Sequence, residues 1–277
     1  MTFNPNLEQG AELNNEKLCE LFGISPQGGM RRSLKNDVLV LVSNRVESLY
    51  QDRFVDGVIH YTGMGQIGDQ DLNTSQNKTL NESRSNGISV FLFEVLEPKK
   101  YTFTGRVHLV GEPYQEVQED IEGNDRKVWM FPLGLVEGQI LKPIPIEKVK
   151  DLEVSRERLV TKLDRAELIH RANQAAKVPG SRSVVAKQYQ RNEYVAEEAR
   201  RRAKGICQLC NSPAPFVNKS GQAYLEVHHV IWLAKGGEDS LENTVALCPN
   251  CHRRMHVLND EADRSFLLTK ISSKSNG

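Results

Sequence analysis

Apolar and polar positions in the first half of the chain follow the patterns of buried and half-buried strands. Val38 to Ser43 is a short apolar run rich in branched residues, Ile88 to Leu96 alternates and then runs apolar, and Tyr101 to Val110 alternates throughout. Together with Val128 to Leu135, they predict a β-rich block. Leu18-Cys19-Glu20-Leu21-Phe22 has the look of an apolar helix face, which makes Cys19 a core thiol. From Gly57 to Gly87 the chain is rich in Gly, Asn, Gln and Asp and too long for a plain hairpin. Loops of that size commonly carry function. Pro143 and Pro145 close the block, and the period then changes. Leu159, Leu163 and Ala166 recur at helical spacing among many charges, so residues 147–176 form one expected amphipathic helix. Pro179-Gly180-Ser181 breaks it, and a second helix is expected over residues 183–203, stopped by Gly205.

This pattern divides the chain into a β-rich domain at 1–145, a helical connector at 146–182 and a C-terminal module at 183–277, an α+β protein. The composition is that of a soluble globular chain, 39% hydrophobic and 26% charged. No stretch approaches the roughly 20 apolar residues that span a bilayer, and Met1 to Gly10 lacks a basic start and an apolar run. A cytoplasmic location without a membrane partner is therefore expected. The formal net charge is zero, yet the charges are unevenly placed. Arg171 to Lys204 holds nine Lys or Arg against three Glu, while Glu112 to Asp125 holds six acids and no base. Such a chain can still present a basic face to phosphates. Arg31-Arg32 and Arg200-Arg201-Arg202 are candidate phosphate contacts, although a solvated surface explains either stretch as well. Trp129 and Trp232 are expected in the core.

Chemistry concentrates near the C-terminus. Four of the five cysteines form two Cys-x-x-Cys pairs, Cys207/Cys210 and Cys248/Cys251, with 37 residues between the pairs. Four thiolates suit one tetrahedral, structural Zn²⁺, and in a module with little core such a site supplies much of the folding energy. His252 and His256, four apart, project from one helix face. With His228, from a strand facing that helix, they can hold a second metal. The neighbouring His229 points to the opposite side of the strand, which suits it to act as general base on an attacking water. Asn243 is placed to orient the base.

The run Leu225-Glu226-Val227-His228-His229-Val230, Gly236-Gly237, Asn243, Cys248-Pro249-Asn250-Cys251-His252 and His256 resembles the HNH, or ββα-metal, nucleases. The resemblance implies a strand–strand–helix site with one catalytic divalent ion, such as Mg²⁺ or Mn²⁺. His229 would be the base, and His228, His252 and His256 the ligands. An exchange of duties between His228 and His229 stays open, as does a purely structural zinc module.

The polar segment resembles the core of SRA-type domains. Tyr61-Thr62-Gly63-Met64-Gly65-Gln66 precedes Asn77-Lys78-Thr79-Leu80 and then a strand, with Gln66 in place of a usual glycine. SRA domains bind DNA with modified cytosine, and the resemblance implies that Tyr61, Thr62, Gly63, Met64, Gln66, Asn77 and Lys78 take part in DNA reading. Extrusion of the base and contact with its methyl group in the major groove both stay open. Alternatively, Gly63, Gly65 and Gly68 only shape a surface turn.

An SRA-like domain joined to an HNH module resembles a modification-dependent, type IV restriction endonuclease. The implied substrate is double-stranded DNA carrying 5-methylcytosine or 5-hydroxymethylcytosine. No nucleotide cofactor is expected, because the chain has no phosphate-cradling Gly-x-x-x-x-Gly-Lys-Ser/Thr motif. Cutting both strands calls for two active sites, so a homodimer is expected, with the Leu159–Ala166 helix as one seam. Two rivals remain: an HNH nuclease that reads an unmodified site, and a non-cleaving reader of modified DNA.

Overall fold

In a computed structural model of the chain, residues 3–46, 51–174 and 179–273 are described. The chain divides into two units, residues 1–186 and residues 187–277.

The first unit contains β1 (Glu12–Leu13), α1 (Asn15–Phe22), β2 (Met30–Ser33), β3 (Val38–Asn44), β4 (Arg53–Val55) and β5 (Val58–Thr62). It continues with α2 (Ser75–Asn81), β6 (Ser89–Glu97), β7 (Lys100–Leu109), β8 (Tyr114–Glu119) and β9 (Asp125–Leu135). β10 (Ile144–Pro145), α3 (Ile146–Val160), α4 (Arg165–Gln174) and β11 (Val184–Val185) complete it. One sheet runs in the order β2-β3-β6-β7-β9-β5-β4, with β1 added on β7 and β8 on β9. The β3–β6 pair is parallel and its neighbours are antiparallel.

Both faces of the sheet are covered, which explains why β3 and β6 appear in the sequence as apolar runs. Leu39, Leu41, Val90 and Leu92 enter one core with Ile59, Tyr61, Leu80 and Phe131. The alternate residues Val38, Val40, Phe91 and Phe93 enter a second core under Leu18 and Phe22 of α1. Cys19 lies at the edge of that second core, and Trp129 lies at the edge of the first.

The single helix expected over 147–176 is two. α3 stops at Val160, and the Asp164 carboxylate accepts from the Glu167 amide at 2.9 Å to start α4; residues 175–178 fall outside the described chain. α4 lies along β8 and β9, with His170 3.4 Å from both Glu119 and Asp125. The second expected helix also begins later. Val184 and Val185 pair in parallel with Ile144 and Pro145, and helix starts only where the Asn192 side chain accepts from the Tyr194 amide at 2.9 Å.

The second unit contains α5 (Glu193–Ala203), β12 (Glu226–His229), β13 (Thr244–Leu247), α6 (Pro249–Val257) and α7 (Glu261–Ser272). β12 and β13 are antiparallel, with His228 opposite Val245. Ala203, Val230, Leu247, Met255, Leu267 and Ile271 form a small core that also takes in Cys207 and Cys251. No helix among the described residues is long and apolar enough to cross a membrane.

Candidate active site

The first cysteine knuckle follows α5. Lys204, in the left-handed region at φ 50°, and Gly205 turn the chain out of the helix. The Cys207 amide donates to the Ser212 carbonyl, and the Asn211 amide donates back to Cys207. Gln208 fastens the knuckle to β13: its amide donates to the Ala246 carbonyl, and its side-chain oxygen accepts from the Ala246 amide at 2.7 Å. The second knuckle forms the first turn of α6, entered through Pro249, a residue suited to that position because its missing N–H has no helical partner. The four sulfur atoms all lie within 4.8 Å of one another. The Ser212 backbone N–H pulls the Cys210 thiol down to about 6, whereas burial pushes Cys248 and Cys251 up. A thiolate-binding cation suits this closed set, because it offsets the charge that burial opposes.

β12 carries two histidines with different surroundings. On one side, His228 joins His252 and His256 from α6, and one ring nitrogen of each lies within 4.8 Å of the others. The Nε2 atoms of His252 and His256 are 3.1 Å apart. His228 Nε2 is buried and has no hydrogen-bond partner. Burial, followed by the charges of His252 and His256, lowers the His228 pKa to about 3, so its ring is neutral and free to donate a lone pair. An orphaned, buried ring nitrogen facing two others fits a divalent metal ion. Glu226 accepts from His252 Nδ1 and so aims its Nε2 inward, as carboxylates commonly do behind metal-bound histidines. Glu226 lies two residues before His228 on the same strand face, and that period was its sequence signal. Trp232 is not a core residue but a wall of this cluster, its ring centroid 5.4 Å from that of His256.

On the other side, His229 Nε2 lies 2.8 Å from Asp239 Oδ1. This contact holds the Asp239 carboxyl below its ordinary range. The backbone N–H of Asn192 also donates to Asp239. Asp239 had no signal in the sequence, since the loop between β12 and β13 sets its position. Asn243, expected to orient the base, does not touch it. Its amide group donates to the carbonyls of Ile231 at 2.9 Å and Glu238 at 2.7 Å, and its oxygen accepts from the Ile231 amide at 2.8 Å. Asn243 therefore pins the loop that carries Asp239. Gly237 belongs to the same closure, for a Cβ there would stand 1.9 Å from the Ile231 carbonyl oxygen.

The residues expected to read DNA separate into two groups. Tyr61 is buried and donates to the Gly29 carbonyl at 2.7 Å. Asn77, also buried, accepts from the Met64 amide at 2.8 Å and donates to its carbonyl at 3.0 Å. Gly63 lets these side chains close in, since a Cβ would meet Gln70 Oε1 at 2.7 Å and Asn77 Oδ1 at 2.8 Å. Thr62 is buried, and its amide donates to Asp52 at 2.8 Å. These residues build the loop, while Met64, Gln66 and Lys78 stand on its exposed side. Arg31 is a correction, because it is buried and its guanidinium is spent on the Gly28 carbonyl and Asn15. Arg32 bonds the Val38 carbonyl and Asp37, and Arg202 braces the Thr244 carbonyl. Arg200 and Arg201 share Glu197 on the surface of α5. Asp52 had no motif to reveal it. Burial raises its pKa above the ordinary 3.8 against the pull of the Thr62 amide, Ser43 and Arg45.

Residues 9–156, more than half of the chain, match the family model described as ScoMcrA-like, SRA domain, and the chain belongs to that family. Residues 207–257 match the HNH endonuclease model, which covers every member of both metal clusters, His229, Asp239 and Asn243. Over 70 residues the chain is 51% identical to the type IV methyl-directed restriction enzyme EcoKMcrA of Escherichia coli (strain K12). That match spans 25% of each protein, so it covers only a quarter of the relative's length. Among solved structures, the phosphorothioation-dependent type IV restriction endonuclease ScoMcrA is 21% identical, with a TM-score of 0.41 over 98% of this chain and 65% of that one. The SUVH5 SRA domain bound to fully methylated CG DNA is 25% identical, with a TM-score of 0.41 over 52% of this chain and 99% of that one. Family membership rests on the sequence match.

Proposed function

We propose that the chain is a type IV, modification-dependent restriction endonuclease that hydrolyses double-stranded DNA containing 5-methylcytosine or 5-hydroxymethylcytosine. The observation that carries the nuclease reading is the division of labour on β12. His228 faces two further histidine nitrogens, while His229, on the opposite side, faces a carboxylate. His228, His252 and His256 hold the divalent ion, Mg²⁺ or Mn²⁺, whose charge offsets that of the scissile phosphate and the leaving 3′ oxygen. Cys207, Cys210, Cys248 and Cys251 hold zinc for structure.

His229 Nε2 is engaged by Asp239, so its proton sits there and Nδ1 keeps the lone pair. Nδ1 takes the proton of the attacking water as the new P–O bond forms and the bond to the 3′ oxygen breaks. Asp239 steadies the ring and stabilises the imidazolium that results. The methyl-directed designation of EcoKMcrA supports the choice of modified cytosine. Two copies acting together would sever both strands, and the exposed Leu159 and Val160 of α3 suit a seam between them; light scattering at monomer mass with and without DNA would refute that pairing.

The mechanism is tested with His229→Ala. Cleavage of a modified duplex should fall by about 10²–10⁴-fold, the usual worth of a general base, with zinc content and DNA affinity retained. Undiminished cleavage refutes the assignment of the base.

A further inference from the structure

Phosphodiester hydrolysis concentrates negative charge on the non-bridging oxygens of the phosphate, and preorganised cations aimed at that charge carry much of the catalysis. The site built so far sets two carboxylates in the groove, Asp239 against the base and Glu226 against the ligand His252, and neither welcomes an anion. Among the basic residues that line the larger groove beside it, Arg200 and Arg201 are tied to Glu197. Arg191 differs from both. It is exposed, and among the described residues it forms no ion pair or hydrogen bond.

Two cavities meet at Arg191. One of about 750 Å³ is also lined by Glu226, His229, Asp239 and His252. The other, of about 170 Å³, is lined by His228, Trp232, His252 and His256 as well as His229. Arg191 thus stands where the side of the base and the side of the metal ligands join. The segment that carries it is anchored by the next residue: the Asn192 amide donates to Asp239, and the Asn192 side chain caps α5. The backbone beside the arginine is therefore anchored by the same carboxylate that contacts the base. Residue 191 lies outside the span that matches the HNH model, 207–257.

We infer that Arg191 is a catalytic residue of the proposed nuclease, its guanidinium gripping the non-bridging oxygens of the scissile phosphate. The planar fork of arginine matches two phosphate oxygens at once. The inference rests on the nuclease reading given above.

The test uses the full, zinc-loaded chain. Single-turnover cleavage of a modified duplex is measured at saturating protein with Mg²⁺ or Mn²⁺, and affinity for the same duplex is measured with the divalent ion left out. Arg191→Ala should slow the cleavage step by about 10²–10³-fold, the usual loss of one such donor, while binding stays measurable. Arg191→Lys should recover part of the rate, because it restores the charge without the fork. A wild-type cleavage rate in Arg191→Ala overturns the proposal. So does a loss of affinity with an unchanged rate at saturation, which would make Arg191 an ordinary backbone contact. Should Arg191→Ala lose its zinc, Arg191→Gln takes its place under the same criteria. A wild-type chain that cleaves no duplex refutes the nuclease reading itself, an outcome distinct from failure of the arginine alone.

Discussion

Replacing Asn243 with alanine separates a structural pin from a chemical participant. The side chain is 5% exposed and forms three hydrogen bonds, one from the Ile231 amide and one each to the carbonyls of Ile231 and Glu238. Alanine leaves those backbone groups without their partner inside the loop. At about 1 kcal/mol for each bond, the loss is about 3 kcal/mol. For a domain of the size of residues 187–277, 1 kcal/mol moves Tm by about 4–8 °C, so the transition of the second unit should fall by roughly 12–24 °C. Asn243→Asp should be at least as damaging, because it keeps the acceptor for the Ile231 amide but turns a carboxylate toward two carbonyl oxygens. The assay is thermal unfolding of the zinc-loaded full chain, with cleavage measured below the lowered transition. An unchanged Tm together with lost cleavage would refute the pin and give Asn243 a direct part in the chemistry.

Two further perturbations address other parts of the molecule. Removing zinc with a chelator, or breaking the knuckle with Cys251→Ser, should unfold the second unit and leave the unfolding transition of the first in place. A structural zinc is worth about 10–16 kcal/mol in small modules, as much as the whole stability of an ordinary domain; calorimetry showing the second transition intact without zinc contradicts the structural role. Asp52→Asn should stabilise the first unit at pH 7. Burial raises the Asp52 pKa above its unfolded value of 3.8, so the stability of the protonated form is fully present below 3.8 and lost as pH rises through the folded value. The amide escapes that loss, and its gain in Tm should shrink as pH falls toward 3.8; a variant less stable than wild type at pH 7 would contradict it.

Periodicity made part of this fold legible. β3 and β6 could be found because both of their faces are buried, which left uninterrupted apolar runs. β5 could not, because Val58–Thr62 is short and set in a polar stretch, and its place is fixed by pairing with β9 some 70 residues later. The break between α3 and α4 hung on Asp164, whose capping role depends on a local choice among many exposed polar residues. At the site, His228 and His229 were legible because neighbours on a strand face opposite ways, and His252 and His256 because a helix brings i and i+4 together. Asp239 and Asn243 sit in a loop with no period, so nothing along the chain could say which of them meets His229. Arg31 looked like a surface cation because its partners, Asn15 and the Tyr101 ring, are distant in sequence.

The most direct measurement compares one duplex in four forms: plain, with 5-methylcytosine, with 5-hydroxymethylcytosine, and with phosphorothioate linkages. Each is incubated with the purified chain and Mg²⁺ or Mn²⁺. Cleavage of the two cytosine-modified duplexes alone is the predicted result. Equal cleavage of the plain duplex would contradict a modification-dependent enzyme, and cleavage confined to the phosphorothioate duplex would contradict the choice of cytosine.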